Sequence, residues 1–247
     1  MAEQNDVSYE KALVSKRSPF ALSESFKTIR TNILYTGKKE KCPVYATTSS
    51  YSGSGKSVII ANIAQSFAQL GKKVVLIDCD LRRPTQQKIF GIDNKSGASE
   101  YLAGLENNLD KLITHTFVEN LDLLTSGRIP PNPAELLSNE NMDELIAELK
   151  KVYDVIFIDF PPITAVSDCI IPKHLVTGYV FVVRSGYDDR PQLTAAIESM
   201  KKVDATIIGF ILNDVNLKTG GYFYSKHRYY HYGKYNYGYY GYSNKAK

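Results

Sequence analysis

The chain has 247 residues and a net charge of +4, enough for one large α/β domain with a buried core. Its three cysteines, Cys42, Cys79 and Cys169, form no Cys-x-x-Cys pair, which argues against a disulfide framework or a cysteine-built metal site and fits a reducing cytoplasm. No run of about 18 apolar residues is present to span a membrane, and the N-terminus has no apolar stretch of the kind a signal peptide needs.

In chain order, Leu22, Phe26, Ile29 and Ile33 recur at helical spacing and predict an amphipathic helix over 22–35. Apolar runs then predict strands at 43–48, 73–78, 121–125, 153–159, 178–184 and 206–212. These runs are nearly continuous, as in strands covered on both faces. Helices are expected at 56–70, 133–151 and 190–202. The alternation implies an α/β fold, a doubly wound and mostly parallel sheet, whose ligands sit at the carboxyl ends of the strands.

The composition changes after residue 215. Residues 216–247 hold Lys218, Lys226, Arg228, Lys234, Lys245 and Lys247 and no acid, so this tail carries +6 and the preceding domain −2. Ten tyrosines fall within it: Tyr222, Tyr224, Tyr229, Tyr230, Tyr232, Tyr235, Tyr237, Tyr239, Tyr240 and Tyr242. With no aliphatic stripe to bury, the tail is expected to be disordered unless a partner holds it. The division is therefore a domain over 1–215 and an interaction segment over 216–247.

The chemistry begins at Ser50-Tyr51-Ser52-Gly53-Ser54-Gly55-Lys56-Ser57, which follows a predicted strand and opens a predicted helix. Such a loop turns its backbone N–H groups, and the partial positive charge of the helix start, toward phosphate oxygens. Gly53, Ser54, Gly55, Lys56, Ser57 and Val58 would cradle a nucleotide, Lys56 reaching the β- and γ-phosphates and Ser57 binding Mg²⁺. Position 50 is Ser rather than Gly, a relaxed form of the pattern. Two further strands end in carboxylates, one at Asp159 and one at Asp78-Cys79-Asp80. One acid would hold the hydration shell of Mg²⁺, while another could receive a hydroxyl proton. Strand alternation puts Asp78 and Asp80 on one face if the strand extends that far. The four histidines, His115, His174, His227 and His231, lack metal-ligand spacing and read as surface residues.

Three segments together resemble the bacterial tyrosine kinases of capsule and exopolysaccharide synthesis: Ser23–Ile33, Val75–Pro84, and Leu124–Leu137 with its Ser-Gly-Arg-Ile-Pro-Pro-Asn-Pro core. The resemblance runs from about Pro19 into the tail and implies a P-loop NTPase fold. It implies Lys56, Asp78, Asp80 and Asp159 as catalytic residues, with Ser57, Asp80 and Asp159 around Mg²⁺, Asp78 as base or metal-linked acid, and Asn213 near the adenine of ATP. It further implies that the tail tyrosines accept phosphate in trans within a ring-shaped homo-oligomer. Glu24, Lys27 and Arg30 would lie at the subunit contact, although spacing alone reads them as a solvated charge strip. The expected partners are a transmembrane adaptor, which brings a cytoplasmic kinase to the inner face of the membrane, and a cognate tyrosine phosphatase. Three positions depart from the family pattern: Ser52 replaces proline, Phe160 replaces threonine and Lys27 replaces arginine.

Two other functions compete. A partition or cell-division ATPase of the deviant-Walker type would carry lysine where Tyr51 stands, and has no use for ten tail tyrosines. A nucleic-acid-binding protein could stack bases on those tyrosines, but it would leave the phosphate-site motifs without purpose, so no nucleic-acid partner is expected.

Overall fold

The computed structural model describes residues 12–36 and 40–215. The tail and its tyrosines lie outside the described residues. Helix α1 (Phe20–Thr36) precedes strand β1 (Val44–Ser49), which leads through the phosphate loop into α2 (Lys56–Ala68). There follow β2 (Val74–Asp78), three short helices α3 (Gln86–Phe90), α4 (Ala98–Leu102) and α5 (Leu109–Leu112), and strands β3 (Ile113–His115) and β4 (Leu121–Leu124). The chain continues through α6 (Pro133–Leu137), α7 (Glu140–Val152), β5 (Val155–Asp159), β6 (Gly178–Arg184), α8 (Arg190–Lys202) and β7 (Ile207–Asn213).

The seven strands form one sheet in the order β3-β4-β2-β5-β1-β6-β7, parallel except for β3. Strands β2, β5 and β1 are neighbours, with Asp78 opposite Asp159 and Thr47 opposite Asp159. Three carboxyl ends therefore converge at the middle of one sheet edge. Beside them the chain crosses from β5 to β6 on the far side of β1, the kind of crossover that opens a crevice in doubly wound sheets.

Alternate strand residues feed two cores. Val74, Leu76, Val155 and Phe157 pack with Phe26 and Ile33 of α1 and Ile60, Ile63 and Phe67 of α2. Val75, Ile77, Ile156 and Ile158 pack with Leu102 of α4, Leu137 of α6, Leu145 of α7 and Met200 of α8. Helix α7 shows how local sequence serves this packing. Met142, Leu145, Ile146 and Leu149 form its buried stripe, Glu140 and Asp143 sit in its first turn and Lys150 and Lys151 in its last, matching the helix dipole.

Several expectations need correction. The single helix expected at 133–151 is two helices, broken at Ser138 and Asn139, where Asn139 takes an extended backbone before α7. Residue types that bond their own backbone favour such ends. Leu22 is exposed, so the buried face of α1 is Phe26 and Ile33, with Ile29 at its margin. Strand β7 is not covered on both faces: it is the sheet edge, with Phe210 and Leu212 at 55% and 58% exposure. Elements α3, α4, α5 and β3 were not foreseen; each has at most five residues, too few to show a periodic pattern.

Candidate active site

The phosphate loop leaves the centre of the sheet at the end of β1. Gly53 and Gly55 have φ of +81° and +88°, the left-handed region where side chains are strained. A Cβ at Gly55 would also lie 2.3 Å from Nδ2 of Asn213 and would displace that side chain. That amide donates to the Ser54 carbonyl at 2.9 Å, tying the end of β7 to the loop. The resulting cleft, of about 390 Å³, is lined by residues that include Gly53, Gly55, Lys56, Ser57, Asp80 and Arg83.

The first turn of α2 turns Lys56 inward. Its ammonium lies 2.9 Å from Oδ2 of Asp80, 3.4 Å from Oδ1 of Asp159 and 3.2 Å from Oγ of Ser57. Burial works against this charge, but the carboxylates of Asp159 and Asp80 outweigh it and hold the ammonium above the ordinary lysine value.

Asp78 has a different task from Asp80. The strand ends at Asp78, so alternation does not carry on to Asp80, and the shared face expected from the sequence is absent. Oδ1 of Asp78 accepts from the Asp80 N–H at 3.1 Å, and Oδ2 accepts from the N–H groups of Thr85 and Gln86, both at 2.9 Å. Fully buried, it clamps the loop 80–86, whereas Asp80 lines the cleft. Burial and then the charge of Asp159 push the Asp78 carboxyl up to about 7, against the N–H groups of Gln86 and Thr85 and the ammonium of Lys56. Between these acids, burial and the charges of Asp78, Asp159 and Asp80 push the Cys79 thiol well above its ordinary value, so it stays a thiol.

The loop clamped by Asp78 delivers Gln86, a residue sequence reasoning missed. Its Nε2 donates to Oδ2 of Asp159 at 2.8 Å and to the Ser57 carbonyl at 3.1 Å. The loop also delivers Arg82, which makes a bidentate pair with Asp168 at 2.8 and 3.2 Å. Asp168 is 1% exposed and belongs to the segment that follows β5. That segment is fastened to the end of β1: Thr48 donates to the Pro161 carbonyl, and Thr164 donates to the Ser50 carbonyl.

The residues present fit a Mg²⁺–nucleotide. A hydroxyl and two carboxylates form a hard-oxygen set around one ammonium. Ser54 Oγ and Gln86 Oε1 are buried without a partner among the described residues, and buried polar groups of this kind call for a bonding partner.

Comparison with known proteins agrees with the site. The CbiA family, the CobQ/CobB/MinD/ParA nucleotide binding domain, matches residues 45–227. Tyrosine-protein kinase YwqD of Bacillus subtilis (strain 168) is 38% identical over 90% of this chain and 91% of its own. This chain belongs to the bacterial tyrosine-protein kinase family. Tyrosine-protein kinase CpsD of Streptococcus agalactiae serotype III (strain NEM316) is 37% identical over 81% of this kinase and 85% of its own chain. The kinase domain of Escherichia coli tyrosine kinase ETK superposes with a TM-score of 0.75 at 31% identity, covering 82% of each chain.

Of the residues expected at this kinase's site, Gly53, Ser54, Gly55, Lys56, Ser57, Asp80, Asp159 and Asn213 gather at one end of the sheet, with Val58 on the cleft wall and Asp78 behind the loop it clamps. Phe160 stands where the family pattern has threonine, and its side chain is buried in the core. The proposed subunit contact is not a single strip. Glu24 pairs with Lys27 at 2.7 Å on the surface of α1, but Arg30 turns away and donates to the Ser66 carbonyl of α2 at 2.8 Å. Tyr51 holds the position a partition ATPase would give to lysine; its hydroxyl donates to Asp189 at 3.3 Å.

Proposed function

We propose that this kinase transfers the γ-phosphoryl group of Mg-ATP to tyrosines between Tyr222 and Tyr242 on the tail of a neighbouring copy, in the control of capsular or exopolysaccharide synthesis. The observation that carries this reading is the Lys56–Asp80–Asp159 cluster beneath a glycine-bearing phosphate loop. When a nucleotide enters, its phosphates compete for the ammonium of Lys56, which otherwise rests on the carboxylates. Ser57, Asp80 and Asp159 would hold Mg²⁺, which supplies charge neutralisation across the β- and γ-phosphates when bound. Gln86 keeps Asp159 oriented through its 2.8 Å bond.

The transfer balances simply. The phenolic oxygen of the acceptor forms a bond to the γ-phosphorus, and the bond from that phosphorus to the β–γ bridging oxygen breaks. ADP leaves with the electron pair, and the phenolic proton passes to a carboxylate of the site. Asp80, which lines the cleft, is our assignment for that acceptor; Asp78, the acceptor expected from the resemblance, is fully buried with both oxygens bonded to backbone N–H groups and holds the loop that carries Asp80.

The tail suits the acceptor role because it is basic and free of acids, and so approaches a nucleotide without repulsion. Each phosphate adds about −1.5 to −2 charge, so about four cancel the tail's +6 and more reverse it. We assign the surface of α1 around Glu24 and Lys27 to the contact in a closed homo-oligomer, with Arg30 bracing that helix from behind. A transmembrane adaptor would recruit the kinase to the inner face of the membrane, and a tyrosine phosphatase would reset the tail.

The test mixes isotope-labelled parent chain with unlabelled Lys56→Met chain in Mg-ATP and maps phosphotyrosine by mass spectrometry. Phosphotyrosine on the unlabelled tails supports transfer in trans. Unlabelled tails that stay unmodified beside modified labelled ones overturn it, as does modification confined to residues 1–215.

A further inference from the structure

The loop clamped by Asp78 carries two consecutive arginines in different surroundings. Arg82 is committed to Asp168 through its bidentate pair. Arg83 is exposed and lines the phosphate cleft beside Lys56, Ser57 and Asp80. Its guanidinium has no hydrogen-bond or ion-pair partner among the described residues. Its root is fixed all the same, because the Arg83 N–H donates to Oδ1 of Asp80 at 3.0 Å. The transfer chemistry above leaves this cation unused.

We propose that Arg83 holds the terminal phosphoryl group of the bound nucleotide, closing on it from the side where the acceptor enters. The inference rests on the reading above that Mg-ATP occupies the cleft, and it adds a residue to that site.

Three observations support it. The first is charge. The charged side chains lining the cleft are Lys56, Asp80 and Arg83. The Lys56 ammonium is shared between Asp80 and Asp159, so carboxylates already offset it. Arg83 brings a positive charge that no carboxylate of the described residues takes up. Fixed positive charge beside a phosphoryl group in transfer is what lowers its barrier.

The second is place in the sheet. Asn213, at the end of β7, meets the phosphate loop at Ser54 and marks the expected adenine end. The loop bearing Arg83 follows β2, and the order β2-β5-β1-β6-β7 puts it on the other side of the phosphate loop. A nucleotide with its base toward Asn213 therefore directs its terminal phosphate toward Arg83.

The third is preorganisation. Asp78 takes the N–H groups of Asp80, Thr85 and Gln86, on both sides of Arg83. The guanidinium thus swings from a held backbone next to the carboxylate assigned to the phenolic proton. Its planar fork suits two oxygens of one phosphate group. An arginine that only meets solvent is the competing account.

The test is calorimetric binding to the full chain in Mg²⁺, with ADP and with the β,γ-methylene analogue of ATP as separate ligands. Arg83→Ala is expected to weaken the analogue about tenfold or more, as for loss of a charge-assisted hydrogen bond, and to leave ADP at its parent affinity. Arg83→Lys keeps the charge without the fork and is expected to recover part of the analogue's affinity. The rate of phosphorylation at saturating ATP should fall in the same order. An equal loss for ADP and the analogue assigns the guanidinium to the inner phosphates and overturns the inference. Unchanged affinity for both leaves Arg83 a solvated surface residue and also overturns it. A parent chain that binds neither nucleotide overturns the Mg-ATP reading, and this inference with it.

Discussion

The Lys56 ammonium lies 2.9 Å from the Asp80 carboxylate, and neither side chain is more than 9% exposed. Asp159, fully buried, shares the same cation at 3.4 Å. Three acids, counting Asp78, thus depend on one lysine for their counter-charge. Removing one partner of a buried ion pair costs about 3–5 kcal/mol, because the remaining charge is stranded. Lys56→Ala should therefore unfold at lower urea than the parent, and millimolar Mg²⁺ should recover part of the loss. Phosphorylation by this variant should fall by orders of magnitude. A urea midpoint equal to the parent's without Mg²⁺ would show that the pair carries no stability.

Gly55→Ala should impair nucleotide binding twice over. The φ of +88° strains any L-residue, by about 1–2 kcal/mol, and the new Cβ would collide with Nδ2 of Asn213 at 2.3 Å. A tenfold or greater loss of ADP affinity by calorimetry is expected. Adding Asn213→Ala removes the collision but not the strain, so the double variant should bind better than additivity predicts.

Gln86→Leu leaves the Ser57 carbonyl and one oxygen of Asp159 without their donor, a loss of about 1–3 kcal/mol in a buried setting. If Gln86 orients Asp159 for the metal, the Mg²⁺ concentration for half-maximal rate at saturating ATP should rise. A stability loss with an unchanged Mg²⁺ profile would reduce Gln86 to a packing role.

On the opposite edge of the sheet, Nδ1 of His115 sits 2.6 Å from Asp122. The hydrogen bond, and then the carboxylate charge, raise the His115 pKa above its ordinary value of 6.5. The charged ring is favoured by folding, so the pair's contribution is complete below pH 6.5 and is lost as pH rises through the folded value. His115 is 92% exposed, so the pair is screened and adds little to stability. An NMR titration should place the His115 midpoint above 6.5, and Asp122→Asn should return it toward that value.

Helix α1 shows where periodicity misleads. Glu24, Lys27 and Arg30 look like one exposed strip because three-residue steps stay near one helix face. The drift of those steps around the axis brings Arg30 to the margin that meets α2, where the Ser66 carbonyl takes its guanidinium. The pairing of Arg82 with Asp168 was equally hidden, since 86 residues separate them and only the sheet order brings their loops together.

The sequence alone determined six of the seven strands, the strand–loop–helix around Lys56 and the acids at two strand ends. Each is written in contiguous residues: apolar runs long enough to bury, glycines where φ must be positive, and a carboxylate where a strand stops. Tertiary structure alone decided how the acids divide their work. Ending β2 at Asp78 breaks the alternation, so Asp78 turns inward to hold three N–H groups and Asp80 turns to Lys56. It also recruited Gln86, because a buried amide finds its partners only after the loop folds back over β5. Burial and hydrogen-bond satisfaction are properties of the assembled chain, and no local pattern encodes which distant groups will meet them.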